Sequence, residues 1–141
     1  MVGIDIGSLG AEGSDINAGG LFYERVASTL ENPVPADTIG YTLFRFVKSD
    51  FRPLKIISLG TSQHDNTVYH WYVDRVHLDA ISGPAAIGSI LSPYVFPRPI
   101  RVNLSIELKV DNLNLKAYPN NTGTSHVDRI PYECVVSGIW G

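Results

Sequence analysis

A chain of 141 residues, 44% hydrophobic and 18% charged, has the composition of one globular domain, large enough to bury a core without metals or disulfides. Its formal net charge is −3, and its eleven basic residues are scattered singly among fourteen acids, a pattern that argues against direct nucleic-acid binding. Cys134 is the only cysteine, which excludes an intrachain disulfide and a cysteine-based zinc site, and no apolar run is long enough for a membrane-crossing helix.

Residues 1–20 carry Gly3, Gly7, Gly10, Gly13, Gly19 and Gly20 among small and acidic neighbours, too little apolar surface for a core. They are expected to form an extended N-terminal arm held against its own domain or a neighbouring subunit, with Ile4, Ile6 and Leu9 as its contact residues. Within it Val2-Gly3-Ile4-Asp5-Ile6-Gly7-Ser8 resembles the first phosphate loop of actin-like ATPases and sugar kinases, where an Asp follows a strand and a Gly-Ser turn wraps phosphate. The second Asp-Gly loop and interleaved helices of that family have no counterpart in the sequence. The same stretch lacks the basic and apolar regions of a secretion signal, which points to a cytoplasmic protein or one assembled in a cytoplasm.

From residue 21 onward the pattern is that of strands. Leu21 to Leu30 fits either a helical face or a strand, with the strand favoured by Tyr, Val and Thr, and Asn32-Pro33-Val34-Pro35 ends it. Tyr41–Lys48 and Leu54–Leu59 are predicted strands, and Val68–Leu78 a long one. The connection Ile81–Ser92 has room for one helical turn at Ala85-Ala86-Ile87. Pro93, Pro97 and Pro99 bracket an extended segment unsuited to a central strand. Ile100 to Asp111 alternates apolar and polar residues without exception, and predicts a single half-buried strand with Ile100, Val102, Leu104, Ile106, Leu108 and Val110 on its core face. By that reading Leu104 is core and Ser105 faces water. The apolar phase then shifts to Leu113, Leu115 and Ala117, which calls for a bulge or turn near Asp111-Asn112. The last strand is expected over Arg129–Trp140.

Strands at short intervals with hardly any helix predict an all-β fold: a single antiparallel β-sandwich over residues 21–141, of jelly-roll or related Greek-key topology, with the glycine-rich arm preceding it.

Chemistry is sparse in the sequence. Three of the four histidines fall between His64 and Asp79, where His70 and Asp74 share a strand face. The odd spacing of His70 and His77 places them on opposite faces, and the His-x-His pair of a cupin-like metal centre is missing. No Gly-x-Ser-x-Gly elbow is present, and Cys134 reads as a buried thiol. Tyr69 and Trp71 are the candidate platform for a sugar ring, with packing as the competing role of such aromatics. No catalytic residue, cofactor or metal is expected. The favoured reading is a structural, self-assembling protein, a virion component such as a capsid, cement or tail-associated subunit. Its partners would be itself and other structural subunits, with neither nucleic acid nor membrane. Ile139 and Trp140 at the apolar C-terminus join Ile4, Ile6 and Leu9 as candidate subunit contacts. A carbohydrate-binding sandwich and, after it, a cupin-like metalloenzyme are the alternatives.

Overall fold

The computed structural model describes residues 20–120 and 127–141. They form eight strands: β1 (Leu21–Ala27), β2 (Thr38–Val47), β3 (Leu54–Thr61), β4 (Thr67–Val73), β5 (Val76–His77), β6 (Tyr94–Val102), β7 (Ser105–Asn112) and β8 (Glu133–Trp140). These build two four-stranded antiparallel sheets, ordered β1-β8-β3-β6 and β2-β7-β4-β5. The chain changes sheet at every step except β4 to β5, and the resulting order is that of a jelly roll, two interlocked Greek keys closed face to face. None of the described residues belongs to a helix long and apolar enough to cross a membrane.

The stretch predicted as one strand from Ile100 to Asp111 is two strands in different sheets. Asn103-Leu104 is a corner at which the chain leaves β6 and enters β7. Alternation runs through the corner unbroken because a two-residue turn preserves parity: Val102 on one side and Ile106 on the other both point inward and are buried. Leu104, predicted as core, is 38% exposed, whereas Ser105 is buried. What forces the corner is remote in sequence. The Asp74 carboxylate accepts the backbone amides of Asn103, Leu104 and Ser105 at 2.6–3.2 Å, taking donors that an uninterrupted strand would have spent on a neighbour.

The long strand predicted over Val68–Leu78 also folds back on itself. Asp74 and Arg75 both have positive φ, 52° and 67°, the conformation of a tight hairpin turn whose twist matches the strands it joins. β5 therefore returns along β4. The helical turn expected at Ala85–Ile87 is absent, and a short 3-10 turn lies instead at Asp79–Ile81. Another occupies Val127–Arg129, so the last strand begins only at Glu133. Leu113 and Leu115 are exposed, since β7 stops at Asn112, whose side-chain amide donates to the carbonyls of Pro35 and Lys116. The proline-bearing β6 is an edge strand, as its missing ladder donors require.

Tyr69 and Trp71 of β4 form the centre of the core with Ile106, Leu108 and Val110 of β7, packed with Leu54, Ile56 and Val136 from the opposite sheet. An aromatic of this size buries roughly 150–250 Å², on the order of 4–6 kcal/mol gross, so these two rings are major contributors to sandwich stability. At one end Phe22, Phe46 and Trp140 meet edge to face with centroids 4.8–6.1 Å apart. Gly138 lets β8 lie close against β3, because a Cβ there would be 2.3 Å from the Lys55 carbonyl oxygen.

Candidate functional site

Two features stand out from the sandwich: a histidine chain on the outer face of the β2-β7-β4-β5 sheet, and the edge of the other sheet at β1. The histidine chain exists because of the β4–β5 turn. Tyr72 pairs with His77 across that hairpin, and His70, two residues before Tyr72, shares their face. The odd sequence spacing of His70 and His77 thus puts them side by side, contrary to the placement expected of one continuous strand. His70 Nδ1 lies 3.0 Å from His77 Nε2. On the outer flanks His70 Nε2 is 2.9 Å from Asp111 Oδ2, and His77 Nδ1 is hydrogen-bonded to Asp79 Oδ1. Asp111 is itself fixed, its other oxygen accepting the Gly40 amide at 2.8 Å.

Hydrogen-bond chemistry constrains this chain of four groups. An ionised carboxylate only accepts, so the outer nitrogen of each ring carries hydrogen and the two inner nitrogens turn lone pairs toward each other. A bond between them then needs one further proton, shared by the rings and balanced by two flanking carboxylates. Around the chain, Tyr72 meets His77 edge-on at 5.2 Å, and the Lys109 ammonium lies 5.8 Å from the centre of the Tyr72 ring. Among the described residues, no three His, Cys, Asp or Glu side chains converge as a metal-binding group.

The residues singled out by sequence are distributed differently. Asp74 shares no site with His70; its carboxylate is committed to the 103–105 amides. Tyr69 and Trp71 are each 1% exposed, so neither can offer a ring face to a sugar, and the proposed platform is corrected to core. The Tyr69 hydroxyl donates to the Ser62 carbonyl and accepts the His64 amide, and burial pushes its pKa up to about 12. Burial likewise raises the Cys134 thiol to about 12, which leaves it protonated and unreactive. Ile4, Ile6 and Leu9 lie outside the described residues. Trp140 turns inward to the Phe22–Phe46 cluster and carries the Arg52 guanidinium over its ring at 4.5 Å, whereas Ile139 faces outward.

A second histidine environment has no signature in the sequence. His64 stacks on Tyr132 at 4.1 Å, leans on Tyr118, and donates from Nε2 to the Pro131 carbonyl. Burial holds its pKa below the ordinary value, partly opposed by that carbonyl. These partners come from chain segments far apart, and no local spacing reveals them.

At the β1 edge, Leu21 and Tyr23 are 80% and 62% exposed. Leu21 sits beside Ile139 of β8, itself exposed, and Tyr23 beside Ser137, whose hydroxyl is hydrogen-bonded to Ser58 of β3. The four sheet edges differ in how they discourage further pairing. β6 has Pro97 and Pro99, β5 is two residues long, and β2 is broken by register shifts near Gly40 and Leu43. β1 has no proline, glycine, lysine or bulge; its charges are the exposed Glu24 and Arg25, the latter drawn sideways to Glu133. Compared with known proteins, the chain matches no family model, no curated protein and no solved structure.

Proposed function

We propose that this protein is a structural subunit that assembles with copies of itself through the β1 edge and the outward surface of Leu21, Tyr23 and Ile139, and that it serves as a virion component such as a capsid, cement or tail-associated protein. The observation that carries the reading is the β1 edge, which among the described residues pairs only with β8 and presents the exposed Leu21 and Tyr23. A strand edge with unpaired backbone donors and acceptors is a template for pairing with another chain, and natural proteins block such edges unless they use them. The jelly roll supports the class of function only by analogy, since capsid subunits, lectins and cupins all use it. Among those three, the lectin-like alternative loses its Tyr69–Trp71 platform to the core. Multi-angle light scattering and negative-stain electron microscopy of the purified chain test the proposal. A discrete homo-oligomer or closed particle is the expected result; a monodisperse monomer up to millimolar concentration would refute it.

A further inference from the structure

We propose that His70 and His77 form a two-imidazole seat for a divalent transition-metal cation, Zn²⁺ or Cu²⁺, bound between His70 Nδ1 and His77 Nε2 on the outer face of the sheet. This inference is independent of the assembly reading. Nitrogens ligating one tetrahedral zinc at ~2.0–2.1 Å stand roughly 3.3 Å apart, and here the two inner nitrogens are 3.0 Å apart with ring centroids at 5.2 Å, so loading takes a few tenths of an ångström of separation together with a turn of the rings that brings both lone pairs onto the ion. The outer nitrogens supply the second requirement. Metal-bound histidines hold their other N–H on a carboxylate or carbonyl, which fixes the tautomer and raises ligand basicity, and Asp111 and Asp79 occupy those positions on the two rings.

Rigidity and charge agree with this assignment. The rings project from adjacent strands joined by a tight turn, and Asp111 is locked by the Gly40 amide. The two carboxylates offset a dication; Lys109 is the nearby cation, placed over Tyr72. The imidazoles are a quarter to a third exposed, which leaves solvent to complete the coordination shell. Two protein ligands leave the other coordination positions to solvent, so the ion is loaded from solution.

The test is calorimetric titration of the chelator-treated protein with zinc chloride at neutral pH, and electron paramagnetic resonance of the copper-loaded protein. Wild-type protein should bind one ion per chain, with copper hyperfine structure from two nitrogens. His70→Ala should lose binding by tenfold or more and show one nitrogen fewer; His77→Gln repeats the test should His70→Ala melt early. Asp111→Asn should weaken binding by about 10–100-fold while both nitrogens stay on the copper. Absence of saturable one-to-one binding, or undiminished binding in the histidine variants, would overturn the site. Wild-type affinity in Asp111→Asn would overturn the orienting role of that carboxylate.

Discussion

The carboxylate of Asp74 accepts the amide of Leu104 at 2.6 Å, and so ties the β4–β5 turn to the corner between β6 and β7. One side chain in one tight turn satisfies the backbone of a second corner thirty residues away. Removing it leaves three amides without that acceptor, so Asp74→Ala should cost about 1–3 kcal/mol in urea unfolding. Leu104→Asp should cost under about 1 kcal/mol because the side chain is partly in water, whereas Val102→Asp, at a position of 0% exposure, should prevent folding. Equal losses at positions 102 and 104 would contradict the corner.

Arg75 adopts φ 67° with an exposed side chain, a conformation that suits glycine. Arg75→Gly removes the left-handed penalty of roughly 1–2 kcal/mol and adds a smaller cost in unfolded-chain entropy. A net gain of about 0.5–1 kcal/mol is expected by chemical denaturation. A loss of stability would mean that the arginine side chain supports the turn through contacts of its own.

His64 gives the fold a pH dependence of defined sign. Its imidazole is held below 6.5 by burial, so the unfolded chain takes up a proton before the folded one does. The contribution is fully present above about pH 6.5 and is lost as pH falls through the folded value. His64→Phe keeps an aromatic ring without the titration. Between pH 7.5 and 5 the wild-type denaturation midpoint should therefore fall further than that of the variant. Parallel curves for the two proteins would exclude the effect.

The fold class was legible because β patterning survives local error. Ile106, Leu108 and Val110 are core by simple alternation, and the proline-bearing edge at Pro97 and Pro99 follows from missing donors. The corner and the hairpin turn were hidden for opposite reasons. At Asn103-Leu104 a corner of even length left the alternation undisturbed, and at Asp74-Arg75 the turn has no glycine or asparagine to announce it. The second omission mattered more for chemistry, because reading residues 68–78 as one strand sends His70 and His77 to opposite faces. Trp71 was ambiguous in sequence since the same ring serves packing and recognition, and only burial separates them.

Assembly through β1 is the central claim, and sedimentation velocity across a concentration series measures it most directly. Tyr23→Arg places a charge on the outward face of the edge strand, at a position already 62% exposed, so the melting temperature should change little. Wild-type protein should sediment as an oligomer whose fraction rises with concentration, and Tyr23→Arg should shift that equilibrium to monomer by tenfold or more in dissociation constant. An oligomer that persists unchanged in Tyr23→Arg and in Leu21→Lys, or a wild-type protein that stays monomeric throughout, would contradict it.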